Sequence, residues 1–355
     1  MLHNPLVKRL DRREECADGG KTMMDHKISR RGFLRAVLAA TALPSGLNRV
    51  LADAAVAADD IPIIDTHIHL FDPTRPQGVP WPAKNNGILY KPALPDRYRQ
   101  VAVPLGVRGA IEVECSTWLE DNQWVLDVAA GDMIVVGTVG NLEPGQPEFR
   151  GQLERFHRNP LFRGVRYGNL WGRNLGAELA KPDFVADLKA LAETGLELDT
   201  ANPNPALIEA VVRLTDKVPG LRVVIDHLPQ LNPPEQPAAR DAYQAHLREL
   251  GKRPQVYVKV SEVLRRVAGR VPEDLDFYRS RLDEIWSIFG EDRLLYGSDW
   301  PNSDQWAAYP KALSVVREFF MGKGRAATEK YFWKNSVAAY GWVRREAGQP
   351  ALGKG

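Results

Sequence analysis

From Ile61 onward the chain alternates short β-branched apolar runs with longer stretches in which apolar residues recur every three or four positions. The runs are "IPIIDTHIH" (61–69), "GAIEVEC" (109–115), "MIVVGTV" (133–139), "FRGVRYG" (162–168), "GLELDT" (195–200), "RVVIDHL" (222–228), "QVYVKVSE" (255–262) and "RLLYGSDW" (293–300). Segments of helical period lie between them, such as "PDFVADLKALAET", "PALIEAVVRLTDKV" and "DFYRSRLDEIWSIFG". Strands alternating with helices predict a parallel sheet, and eight strands can close on themselves. The expected fold is α/β, a single-domain (β/α)8 TIM barrel.

Strands of such a barrel are covered by helices on one face and filled by side chains on the other, so they should be almost wholly apolar. These are not. Because successive side chains alternate faces, Asp65, His67 and His69 are expected to share a face of strand one, Glu112 and Glu114 a face of strand two. Glu197 and Asp199 share one on strand five, Lys259 and Ser261 one on strand seven; His227 lies in line with Val223 and Ile225 on strand six. Arg166 ends strand four and Asp299 ends strand eight. If the apolar parity faces the helices, the polar parity points into the barrel near the C-terminal strand ends. Burying these groups is costly unless they are paired, metal-bound or solvated. A structural ion-pair network accounts for Glu112 with Lys259 or Arg166, but not for three histidines and a terminal aspartate as well.

An H-x-H pair on a strand sets its Cα atoms about 7 Å apart on one face. Many strands carry such a pair by chance. Joined by His227 and Asp299, His67 and His69 form a nitrogen and carboxylate set suited to Zn²⁺ or a similar divalent ion with an open position for water. Arg166, Lys259 and Arg75 supply positive charge for a substrate carboxylate, although each also reads as a structural salt bridge. Trp81, Trp171 and Trp300 either stack on a flat ring or pack at the rim, and Tyr167 beside Arg166 joins the expected substrate-facing groups. His157 and His246 sit on charged helical stretches and read as surface residues. The loop after strand one, about residues 70–100, is long enough for a lid or pocket wall. The pieces "NPNP" and "NPPEQP" follow strands five and six as loops at the same end.

The first residues differ from the rest. "SRRGFLR", from Ser29, precedes the short apolar stretch "AVLAATALPSG" and the small-residue site "AVA" ending at Ala57, a pattern that resembles a twin-arginine signal for the Tat export machinery. The expected division is an N-terminal extension with signal (1–57), a barrel (58–345) and a tail (346–355), with export to the periplasm. Met23 and Met24 offer alternative starts to Met1. Cleavage after Ala57 removes ten Lys/Arg and six Asp/Glu, taking the formal charge from +2 to −2, which gives no support to nucleic-acid or anionic-membrane binding. Cys16 leaves with the signal and Cys115 then stands alone, so no internal disulfide is expected. Beyond the signal no apolar run is long enough to span a bilayer. A homo-oligomer stays open.

"DTHIHLFDP" on strand one, "VIDHLP" on strand six and "LLYGSDWP" on strand eight resemble the amidohydrolase superfamily, and within it the branch of lactone hydrolases around 2-pyrone-4,6-dicarboxylate lactonase. "NSVAAYGW" is similar to that branch's closing helix, so the likeness covers roughly residues 60–343. The resemblance implies Asp299 as general base, with His67, His69 and His227 as metal or electrophile set. It implies no dinuclear centre, since Arg166 stands where two-metal relatives carry a carbamylated lysine. "ELDT" on strand five lacks the histidine of mononuclear relatives, so the site either uses Asp199 or holds its mononuclear metal weakly, if at all. The expected activity is hydrolysis of a lactone, carboxylated and derived from sugar-acid or aromatic breakdown. A metal-dependent nonoxidative decarboxylase is the alternative, and a barrel that binds a ligand without turnover is a third.

Overall fold

A computed structural model describes residues 60–352, so the signal region and the expected boundary at residue 57 lie outside the described residues. Eight strands alternate with helices: β1 (Ile63–Ile68), α1 (Pro95–Ala102), β2 (Val107–Val113), α2 (Leu119–Gly131), β3 (Val135–Gly140), α3 (Phe149–His157) and β4 (Phe162–Arg166) form the first half. Then come α4 (Leu175–Glu178), α5 (Pro182–Glu193), β5 (Glu197–Thr200), α6 (Pro205–Lys217), β6 (Arg222–Ile225), α7 (Pro237–Gly251), β7 (Val256–Val260), α8 (Leu275–Phe289) and β8 (Leu294–Tyr296). Helices α9 (Tyr309–Gly322), α10 (Arg325–Glu329) and α11 (Asn335–Tyr340) close the chain. The strands pair in parallel in the order β1 to β8, as the (β/α)8 pattern predicts. All but β2 are shorter than their sequence runs, and the residues beyond their C-terminal ends build the site. Among the described residues no helix is long and apolar enough to cross a membrane.

Local chemistry sets the helix starts. Asn204 accepts a hydrogen bond from Leu207 N at 2.9 Å and is followed by Pro205 at the first helical position of α6, while Asn174 does the same for Ala177 N at 3.1 Å. The face that each such helix buries, Leu207, Ile208, Val211 and Leu214 in α6, packs onto the outer side of the sheet.

The barrel interior has its own apolar floor. Ile64, Ile111, Val136, Val139, Val224, Tyr257 and Leu295 cluster with Tyr340 and Trp342 from the chain's end. Segment 339–343 is pinned there by Arg163 Nε to Tyr340 O (2.9 Å), Arg222 Nε to Ala339 O (3.0 Å) and Val343 N to Val136 O (2.9 Å). The tyrosine hydroxyl of this plug donates to Asp199 at 2.8 Å.

Parity misplaces Asp65 on β1 and Glu112 on β2. The β1–β2 register shifts between Asp65 and Ile68, an irregularity that resets which residues of β1 face inward, whereas in β2 the side chains still alternate and it is the apolar parity, Ile111 and Val113, that faces the interior. Asp65 does not share the face of His67 and His69. Its carboxylate accepts from Tyr98 (2.8 Å) on α1, Tyr309 (3.0 Å) on α9 and Ser298 N (2.8 Å), on the helix side of the strand. Glu112, on the other face of β2, lines a cavity with Asp121 and Trp124 of α2. Burial, and then the neighbouring Glu114, push the Glu112 carboxyl well above its ordinary range.

Candidate active site

The seam of the barrel brings the site together. Beyond the last paired strand residues, Asp299 N donates to His67 O (2.8 Å) and His69 N donates to Trp300 O (2.7 Å), so the end of β1 and the segment after β8 are held side by side. Gly297 makes room for this approach: a Cβ there would fall 2.8 Å from that of His67. His227 and Asp299 have left-handed backbone, φ 52° and 58°, two and three residues beyond the ends of β6 and β8. That conformation, tolerated by His and Asp better than by most residues, turns both side chains over the barrel mouth. It explains why simple alternation misplaces β6: Asp226, pointing inward, and His227 both serve the site.

All four residues are buried, His69 at 5% and His227 at 6% relative exposure. The Nε2 atoms of His69, His67 and His227 lie 3.0, 3.5 and 3.8 Å from one oxygen, Asp299 Oδ1. The other oxygen accepts from Asn302 Nδ2 at 2.6 Å. His69 Nδ1 is 2.7 Å from the Val113 carbonyl and must donate to it, so His69 Nε2 bears a lone pair facing a carboxylate oxygen. Two acceptors at that distance require a proton or a cation beside them. Donor atoms around a tetrahedral ion are about 3.3 Å apart, and the spacings here bracket that value. His67, His69 and Asp299 form one group able to hold a metal, and His227, Glu262 and Asp299 another.

Burial lowers the His227 imidazole to about 4, against the opposing pull of Asp299 and Asp226. The same burial would raise Asp299, but His227, His69 and His67 around it outweigh that and hold the carboxyl well below its usual range. Asp299 is therefore an anion waiting among imidazoles.

Beneath them lies a second, fully buried layer. Lys259 Nζ meets Asp199 Oδ2 at 2.5 Å, Asp226 Oδ1 at 3.0 Å and His67 Nδ1 at 3.1 Å. Arg166 Nε donates to Asp226 Oδ2 (3.1 Å) and Nη1 to Glu114 O (3.1 Å). Burial works against the Asp226 anion, but Lys259, His67 and Arg166 hold its pKa well down. Asp226, adjacent to a histidine in "VIDHLP", is the functional residue that strand parity passes over. Its signal is an aspartate directly after the apolar run "VVI".

Several expected substrate contacts are placed elsewhere. Lys259 has no exposed surface and serves three internal partners, so it cannot also meet a substrate carboxylate. Tyr167 follows the inward Arg166 and turns outward, against Phe184 of α5, with Arg173 over its ring. Trp300 follows Asp299 in the same way and packs on Tyr98, 1% exposed, with Arg97 across it. Arg75 pairs with Asp121 (2.9 Å) and lies over Trp124. Trp81, half-buried, meets His69 edge-on at 5.7 Å and so walls the site, and Trp171 donates to Glu114 at 3.3 Å. His157 is exposed and His246 half-buried, both on helices.

An eight-stranded parallel barrel with a histidine and carboxylate centre at its C-terminal mouth defines the class: a hydrolase-type barrel with the makings of a metal site. The family model described as Amidohydrolase matches residues 64–342, and the chain belongs to that family. The chain is similar to an L-fucono-1,5-lactonase from Burkholderia ambifaria, 28% identical over 246 residues, 68% of this chain and 80% of that one. In fold it is similar to an amidohydrolase from Burkholderia multivorans crystallised with bound zinc, with TM-score 0.68, 22% identity, and coverage of 79% of this chain and 99% of the other. It is similar too to a Pseudomonas putida chain described as a candidate 2-pyrone-4,6-dicarboxylic acid hydrolase, with TM-score 0.62, 22% identity, and coverage of 79% and 98%.

Proposed function

We propose that the protein hydrolyses a lactone, the cyclic ester of a sugar acid or of a carboxylated aromatic-degradation product, using Asp299 as the base. The observation that carries this reading is the Asp299 carboxylate, kept anionic within 3.0 to 3.8 Å of three imidazole nitrogens. The lactone-acting relatives support the substrate class. Asn302 holds one oxygen of Asp299, so Oδ1 takes the proton as water adds to the lactone carbonyl. The ring C–O bond breaks, and the same oxygen returns the proton to the departing alkoxide. Imidazole N–H groups and nearby cations stabilise the carbonyl oxygen as it gains charge. Arg166 bonds its neighbours among the described residues through Nε and Nη1, so Nη2 is the nitrogen left for a substrate carboxylate.

The residues that would hold a divalent ion, zinc in this proposal, are drawn from His67, His69, His227 and Asp299. Such an ion would polarise the carbonyl and acidify water. The test is acid release from a panel of sugar-acid and aromatic lactones, followed by pH-stat with and without added zinc. No release from any of them would reject the activity.

The twin arginines Arg30 and Arg31 support export through the Tat machinery to the periplasm. Replacing both by lysine should leave the precursor in the cytoplasm on fractionation, and unchanged export would reject that route.

A further inference from the structure

We infer that Lys259 locks His67 as an Nε2–H donor, so that His67 supplies a fixed N–H to the site and is not a metal ligand. The inference concerns the same site as the proposed hydrolysis, but its tests read metal affinity and tautomer and do not depend on any lactone being turned over.

The three histidines differ in what stands behind them. A histidine that binds a metal through Nε2 carries its proton on Nδ1 and gives it to a carbonyl, carboxylate or other acceptor. His69 does so, with the Val113 carbonyl 2.7 Å from Nδ1. His227 can do so, with Ser261 Oγ at 2.8 Å. His67 faces the opposite kind of group: the Lys259 ammonium is 3.1 Å from its Nδ1. An ammonium has donors and no acceptor, so this nitrogen must present its lone pair, and the proton falls on Nε2. The acceptor that could reverse the assignment, Asp226 Oδ1, is 3.6 Å from His67 Nδ1, beyond hydrogen-bonding range. Lys259 is held in place from below, by Asp199 at 2.5 Å and Asp226 at 3.0 Å, and Asp199 in turn accepts from Tyr340 of the floor plug. Among the described residues His67 Nε2 has no hydrogen-bond partner, and it stands 3.5 Å from Asp299 Oδ1. Distance alone would admit it to a coordination sphere; the proton it carries keeps it out. Lys259 is thus a positioning residue acting through His67, and the N–H points to the place where an oxygen beside Asp299 would sit.

Two measurements test this on the whole mature protein. In long-range ¹⁵N–¹H spectra of histidine-labelled protein, His67, assigned from the His67→Gln spectrum, should show protonated Nε2 and bare Nδ1. In zinc titrations against a chromophoric chelator, His67→Gln should leave the affinity unchanged, whereas His69→Gln should weaken it by about 100-fold or more, the loss expected for a true ligand. A proton on Nδ1 of His67 would overturn the inference. So would a loss of zinc affinity in His67→Gln as large as that in His69→Gln.

Discussion

His69 Nε2 and Asp299 Oδ1 stand 3.0 Å apart as two acceptors, because the other nitrogen of His69 is committed to the Val113 carbonyl. Two acceptors this close require a proton or a cation between or beside them. An amide at position 299 would remove the charge while offering His69 a donor. Asp299→Asn should therefore fold with an undiminished melting temperature but lose about 10²- to 10⁴-fold in kcat on any lactone the wild type opens. Unchanged kcat in steady-state assays would remove Asp299 from the mechanism.

Arg166 and Asp226 form a nearly dry pair, Nε to Oδ2 at 3.1 Å. Removing one partner of such a pair strands the other. Arg166→Met should cost about 3–5 kcal/mol of stability in urea unfolding. A small loss would mean that Lys259 alone satisfies Asp226.

Glu112 has an oxygen without a hydrogen-bond partner among the described residues, in a mostly apolar cavity on the helix side of β2. Its folded pKa lies well above the ordinary value, with burial the largest cause. The folded state thus binds the proton more tightly than the unfolded chain, and stability falls as pH rises from the unfolded pKa through the folded one. Glu112→Gln should be more stable than wild type above that window, by about 1.4 kcal/mol for each tenfold difference in proton affinity between the folded and unfolded states, and the gap should close near pH 4. Denaturant curves at several pH values decide it. A gap that persists at pH 4 would point to packing, not charge.

Asp65 ties two helices to the barrel by accepting from Tyr98 and Tyr309. Asp65→Ala leaves both buried hydroxyls and Ser298 N without their acceptor. It should lower stability by about 1–3 kcal/mol for each group left unsatisfied, measured by thermal or urea unfolding. A loss well under 1 kcal/mol would show that other groups, or water, take over.

The eight strands are legible in the sequence because each is a short β-branched run between helical segments, and the run "DTHIH" with "DH" and "SD" marks the site without any structure. Orientation is not legible in the same way. Alternation assumes an unbroken ladder, and the register shift in β1 breaks it at Asp65; in β2 alternation holds, but the apolar parity, Ile111 and Val113, faces the interior and leaves Glu112 on the helix side. The left-handed residues His227 and Asp299 add a second departure, since a strand that ends in such a turn aims its last side chain by backbone torsion and not by parity. Lys259 and Asp226 are obscured for a different reason: a buried charge looks the same in sequence whether it meets a substrate or another residue. Only the distances separate the two.

The backbone bonds between His67 and Asp299 and between His69 and Trp300 join the first strand to the segment that follows the last. Asp299 and the pair His67 and His69 come from opposite ends of the barrel's chain order, so a ribosome-bound or truncated fragment lacking either end lacks half of this cluster. Turnover is then a reporter of completed assembly, and a refolding experiment followed by activity should regain signal only when the ring of strands has shut.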